Sequence, residues 1–150
     1  MHIKVAVIIN SPKRKVWAAI TNIDNSANML SSVIDAKVIE QPQHGLIGLK
    51  WQETRKMFGK AATETMWITD AVSNEYYCTR AENCGAIYTT KLSLTEAEPG
   101  TCLTMTFAAS SDSMWVRMMS AVMGLLMNRT MRNMLKKDLD EIKYYVENKM

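Results

Sequence analysis

The chain has 150 residues, 47% of them hydrophobic and 22% charged, enough to bury roughly two thirds of its unfolded surface in one globular domain spanning 1–150. A disordered tail and a two-domain assembly are both excluded on that ground. Eighteen Lys plus Arg against fifteen Asp plus Glu leave a net charge of +3, spread along the chain rather than massed in one segment, which argues against nucleic acid as a partner.

In chain order, Ile3, Val5, Val7 and Ile9 alternate as a half-buried strand should, and the strand is expected to stop at Asn10-Ser11-Pro12. Ser11 is placed to cap a following helix, with Pro12 in its first turn. Val16, Trp17 and Ile20 give that helix an apolar face. Asn22 to Asn28 breaks it, Ala27 to Val33 is read as a second short helical piece, and Ala36 to Gln41 turns extended. From Leu46 to Ala109 the chain is rich in Thr, Tyr, Trp and Val, interrupted at Phe58-Gly59, Ala71 to Asn74, Glu82 to Gly85 and Glu96 to Gly100, and five further antiparallel strands are predicted. From Ser113 to about Asn148 there is no proline and one glycine, Gly124, with apolar residues at helical spacing, so one long helix closes the domain.

The longest apolar runs, Val5 to Ile9 and Met118 to Met127, are too short for a signal-peptide core or a membrane span, and a cytoplasmic location is expected. The three cysteines, Cys78, Cys84 and Cys102, are an odd number without C-x-x-C spacing, and are read as reduced thiols. His2 and His44 are far apart and loop-like, and no phosphate-binding, dinucleotide or nucleophile-elbow motif occurs, so neither a metal nor a cofactor is expected.

A β-α-α-β-β-β-β-β-β-α order can bury all its apolar faces only if a bent antiparallel sheet wraps the last helix. The turn at Phe58-Gly59 then predicts a register: Met57 beside Lys60, Arg55 beside Ala62, Glu53 beside Glu64, Trp51 beside Met66. This puts Leu49, Trp51, Met57, Ala62, Met66 and Ile68 on the concave face, together with Glu53, Arg55 and Glu64. The next strands add Tyr77, Thr79, Tyr88, Thr90, Leu92 and Leu94, and the last adds Leu103, Met105 and Phe107. Arg55 can offset one carboxylate; the other must be protonated, hydrated or matched from outside. The trio fits either the floor of a ligand site or a wet rim closing one end of the sheet.

Thirteen methionines against two phenylalanines suit adaptable internal space. Trp115, Met119, Met123, Met127 and Met131 recur at four-residue spacing along the last helix. Between Trp115 and Met127 nearly every direction is apolar, which calls for cover by the short helices, a second copy of the chain or a lipid-like guest. After Asn128 the helix is amphipathic, with Lys136, Lys137, Asp138, Asp140, Glu141 and Lys143 read as its wet face.

The string Trp51-Gln52-Glu53-Thr54-Arg55-Lys56-Met57-Phe58-Gly59-Lys60, with Ser11-Pro12-x-x-x-Val16-Trp17 and the Met- and Leu-rich last helix, resembles the polyketide cyclase/dehydrase-like branch of the START-like (SRPBCC) superfamily, which includes birch-pollen-allergen-like proteins. The resemblance covers essentially the whole chain. It implies an α+β helix-grip fold: a curved seven-stranded antiparallel sheet around a long C-terminal helix, two short helices after strand 1, and a deep hydrophobic cavity. It also implies ligand binding as the usual role, since members bind or carry lipids, sterols or polyketides and a minority catalyse aromatisation or cyclisation. Relatives often carry a tryptophan where this chain has Met29-Leu30, which implies a wider or differently shaped mouth.

The expected ligand-binding residues are Trp51, Glu53, Arg55, Glu64, Met66, Tyr77, Thr79, Tyr88, Thr90, Met105, Phe107, Met119 and Met123. Three functions fit: carriage of an apolar small molecule; a cyclase in which Arg55 polarises a carbonyl while Glu53 or Glu64 moves a proton; and an interaction module docking through Trp115 to Met127, a homodimer included.

Overall fold

The computed structural model describes residues 1–57, 59–83, 85–110 and 128–150 in full, and residues 111 and 114–127 as backbone. Strand β1 (His2–Ile9) leads into helix α1 (Lys13–Thr21), a 3₁₀ turn (Ile23–Asn25), helix α2 (Ser26–Met29) and strand β2 (Val33–Glu40). Five strands follow, β3 (Lys50–Met57), β4 (Lys60–Val72), β5 (Tyr76–Asn83), β6 (Ala86–Glu96) and β7 (Thr101–Ser111), and then helix α3 (Met114–Lys149). All seven strands form one antiparallel sheet in the order β1-β7-β6-β5-β4-β3-β2. This is the α+β helix-grip architecture, a curved sheet with the long C-terminal helix against it.

Alternation explains which side of each strand is inside. Ile3, Val5 and Ile9 of β1 are buried while Lys4, Ala6 and Ile8 are exposed, the two-residue period of a sheet with one covered face. The register shifts within β2, and the one in β4 between Ile68 and Asp70, are irregularities of the kind that bend strands and deepen a sheet's curvature. Tight reversals sit where backbone freedom is available: Gly59 and Gly85 both have φ of +79° in the β3–β4 and β5–β6 hairpins.

Two details of the opening segment differ from expectation. Ser11 makes no side-chain cap on α1; Pro12 occupies the cap position in extended conformation. Ser11 is buried instead, its carbonyl accepting a 2.7 Å hydrogen bond from Thr101 Oγ1, so the β1–α1 corner is tied to the start of β7 rather than to its own helix. The stretch read as a break, Asn22 to Asn28, contains the 3₁₀ turn and most of α2. Ile23 and Ser26 there, and Met29 just beyond, are buried; tertiary burial on a three-residue spacing outweighs the low helix propensity of the asparagines.

The described part of α3 holds the sheet in two ways. Leu139, Ile142 and Val146 enter the core. On its flank, Arg132 Nη1, Lys136 Nζ and Lys143 Nζ donate to the carbonyls of Lys4, Ala6 and Ile8 at 3.0, 2.8 and 2.9 Å. The 3₁₀ turn and the α2–β2 connection are pinned to the same helix by Asn25 Nδ2 donating to the Tyr145 hydroxyl, 2.9 Å, and by Ser31 N and Oγ donating to Glu141, each 3.0 Å. Among the described residues no helix is long and apolar enough to cross a membrane.

Candidate functional site

Between the concave face, the short helices and α3 lies a cavity of about 840 Å³. The β3–β4 pairing that lines one wall has the predicted register, with Trp51 opposite Met66, Glu53 opposite Glu64, Arg55 opposite Ala62 and Met57 opposite Lys60. Of the expected site residues, Trp51, Glu53, Arg55, Glu64, Met66, Tyr77, Thr79, Tyr88, Thr90, Met105 and Phe107 all line this cavity. Met119 and Met123, like Trp115 and Met127, have side chains outside those described, as do Phe58 and Cys84. From the opposite side come Ile20, Ile23, Met29 and Leu30 of the helical segment, and Met131, Met134, Leu135 and Ile142 of α3. Thus Met29 and Leu30 do form part of the wall.

The charged side chains of the wall gather in one cluster, and elsewhere it is apolar but for hydroxyls such as those of Thr79, Tyr88 and Thr90. Arg55 donates from Nη1 to Asp138 Oδ2 at 2.7 Å and from Nε to Glu53 Oε2 at 3.3 Å. Asp138 is 3% exposed and lines the cavity from α3, which corrects its placement on the wet face of that helix. The neighbouring charges at 136, 137, 140 and 141 masked it, but Met131, Leu135, Asp138 and Ile142 fall on one face by their spacing of four, three and four. That spacing was the available signal.

One guanidinium serves two buried carboxylates, and the protonation balance reflects this. Burial pushes the Glu53 carboxyl above its ordinary range, Arg55 opposing and Asp138 and Glu64 reinforcing the rise. Burial likewise raises Asp138 against the pull of Arg55. For Arg55 burial disfavours the charge, but Asp138 and Glu53 together outweigh it and hold the guanidinium ionised. Glu64 is half-buried beside Glu53 and forms no ion pair among the described residues. Two buried polar atoms on this wall, Asp138 Oδ1 and Trp51 Nε1, also lack a hydrogen-bond partner there.

The hydroxyl-bearing residues are not equivalent. Tyr77 donates from its hydroxyl to the Ile20 carbonyl at 2.8 Å, and burial raises its pKa far above the ordinary phenol value. Its ring, in edge contact with Trp17 at 5.9 Å between centroids, is therefore wall, and its polar atom holds the end of α1. Tyr88 stacks on Phe107 at 6.2 Å. Thr79 is buried and Thr90 half-buried. Cys78 is half-buried on the other face, with burial raising its thiol pKa against a weaker pull from Lys91, which disfavours the nucleophilic thiolate. Among the described residues no group of three or more His, Cys, Asp and Glu side chains is arranged to hold a metal ion.

The family model described as "Polyketide cyclase / dehydrase and lipid transport" matches residues 1–147. No curated protein sequence matches the chain. Among solved structures, the chain is similar to a START superfamily protein from Mycobacterium smegmatis, with a TM-score of 0.82, 9% identity and 99% of each chain covered. It is similar to a protein from Thermus thermophilus, with a TM-score of 0.81, 12% identity and 98% and 97% of the two chains covered. It is also similar to the Zhui aromatase/cyclase from Streptomyces sp. R1128, with a TM-score of 0.73, 13% identity and 99% and 94% covered. At these identities the likeness is one of fold.

Proposed function

The chain belongs to the polyketide cyclase/dehydrase and lipid transport family, and from that premise we propose that it binds and carries a hydrophobic small molecule in its internal cavity. The observation that carries this reading is a cavity of about 840 Å³ whose wall is mostly Met, Leu, Ile, Ala and aromatic surface with a few Ser and Thr hydroxyls, and whose charged side chains gather at Glu53, Arg55, Glu64 and Asp138. A mostly apolar hollow with a few convergent polar groups suits a ligand that is oily over most of its length and polar at one end. The methionines and leucines enclose the oily part, and the charged cluster orients the polar part.

Native mass spectrometry of protein purified from its own host tests this. A bound organic species, released on unfolding and restoring thermal stability when added back, is the expected result. A clean apo mass, with no thermal shift across a panel of lipids and polyketide-like aromatics, counts against carriage.

A second reading has one observation in its favour. Glu53 combines a raised pKa with a cavity position beside Arg55, the setting a proton-transferring carboxyl needs in cyclisation or dehydration. Turnover of a cyclisable polyketide substrate, lost in Glu53→Gln with binding retained, would favour this catalytic reading over carriage.

A further inference from the structure

The cavity floor carries two hydroxyls side by side. Thr79 of β5 and Thr90 of β6 lie directly opposite each other, with Ile68 beside Thr79 on β4 and Phe107 beside Thr90 on β7, so the pair interrupts an otherwise apolar row. Thr79 is 8% exposed, Thr90 is half-buried, and both line the cavity. Neither hydroxyl bonds to a protein group among the described residues, and neither is shut off from the cavity as Trp51 Nε1 and Asp138 Oδ1 are. On the outer face the corresponding cross-strand pair, Thr54 and Thr63, satisfies itself at 2.8 Å.

A hydroxyl withdrawn from water without a partner weakens the fold, and valine would fill the same space without that cost. Two such threonines together make sense if a guest in the cavity completes them. The wall's other polar groups are placed differently. Arg55 is engaged by Glu53 and Asp138, the Met1 ammonium by the Ala109 carbonyl at 3.2 Å, and the Tyr77 hydroxyl by the Ile20 carbonyl. Ser26 of α2 and Ser110 of β7 each bring a single hydroxyl.

The threonine pair is also remote from the charged cluster. Thr79 faces Ile68, four residues along β4 from Glu64, a separation of about 14 Å at the usual rise of a strand. Met66 and Ala81, opposite each other, lie on the wall between them. Resting on the reading of the cavity as a binding site, we infer that Thr79 and Thr90 form a second polar subsite, and that the ligand is an apolar molecule with an uncharged oxygen, hydroxyl or carbonyl, held there in addition to its polar end at the charged cluster. A threonine hydroxyl both donates and accepts, so the pair takes either kind of oxygen. A chain with one polar end leaves the pair without a partner.

The test compares decanediol, with a hydroxyl at each end, and undecanol, which has the same number of heavy atoms, as competitors that displace the neutral dye Nile red from wild type, Thr79→Val and Thr90→Val. The diol engages both polar points, so each valine variant should weaken it about fivefold or more, the scale of one lost hydrogen bond. Undecanol can turn its one oxygen to the charged cluster and should change by less than about twofold. Without ligand, both variants should unfold at the same Tm as wild type or higher, because an unpartnered hydroxyl has been removed. Equal changes for diol and undecanol, no change for the diol, or Nile red binding that neither probe displaces overturns the inference while leaving the cavity a binding site. A lowered Tm in the variants would mean that the hydroxyls serve the fold, and it overturns the inference as well. Failure of Nile red to bind the wild-type protein, together with failure of both probes to shift its Tm, overturns both readings.

Discussion

Arg55 on β3 and Asp138 on α3, 83 positions apart, meet at 2.7 Å, so the ion pair that polarises the cavity also fastens the C-terminal helix to the sheet. The contact is thus structural in itself, and under the proposed carriage it also shapes the polar end of the cavity.

Replacing Arg55 with Met should therefore cost more than a surface pair would. It leaves Glu53 and Asp138 buried without their cation, a situation worth about 3–5 kcal/mol at neutral pH. The loss should be smaller near pH 4, where both carboxyls take up protons. Urea unfolding at the two pH values checks this; an equal loss at both would mean that the charges are not the cause.

Glu53→Gln isolates one of those carboxyls. Because the folded-state pKa is raised, the folded protein holds that proton more tightly than the unfolded chain does. The stability so gained is full below the ordinary value of about 4.3 and is lost as pH rises through the raised folded value. The glutamine variant is neutral throughout and escapes that loss. Its stability relative to wild type should shift in its favour as pH rises above about 4, and a flat or opposite trend in denaturant midpoints would contradict the direction given for Glu53.

Tyr77→Phe removes the hydrogen bond to the Ile20 carbonyl and leaves that buried acceptor unpaired. A loss of about 1–2 kcal/mol is expected, or a fall of roughly 3–6 °C in Tm for a chain of this size. Ligand affinity should be nearly unchanged, because the hydroxyl is turned to the protein. A large affinity loss with an unchanged Tm would reverse the assignment.

Gly100→Ala tests the corner where β1 passes into α1. A Cβ at position 100 would collide with the Ile9 carbonyl oxygen and approach Ser11 N to 2.6 Å and Ser11 O to 2.8 Å. These are backbone atoms that cannot rotate away, and Thr101 Oγ1 ties the same strand to Ser11. A loss above about 2 kcal/mol is expected, read as a lowered urea midpoint.

Ala81→Phe places a ring in the cavity from β5, where Ala81 faces Met66 and Tyr88 across the sheet. Circular dichroism should be unchanged while the thermal stabilisation given by the host-derived ligand disappears. Retention of both would place the ligand elsewhere.

Much of this site is legible in the sequence because it lies on paired strands. A hairpin turn at residues 58 and 59 plus a two-residue period places Glu53 opposite Glu64 without any knowledge of the rest of the fold. Asp138 is harder. It belongs to a locally polar stretch, and its partner is remote, so only its spacing from Met131, Leu135 and Ile142 marks it as internal. The fate of the Tyr77 hydroxyl is harder still, since nothing in β5 announces that the carbonyl of Ile20 ends beside it. Strand faces follow from local periodicity, whereas the partner of a buried polar atom depends on how separate elements dock.

The three cations that α3 lays along β1 bear on how this molecule behaves among copies of itself. Lys4, Ala6 and Ile8 have their outward carbonyls occupied by Arg132, Lys136 and Lys143, so an incoming ribbon would have to displace positive side chains before gaining a single ladder bond there. The β1 margin is thus guarded against templated polymerisation without the sheet having to close into a barrel.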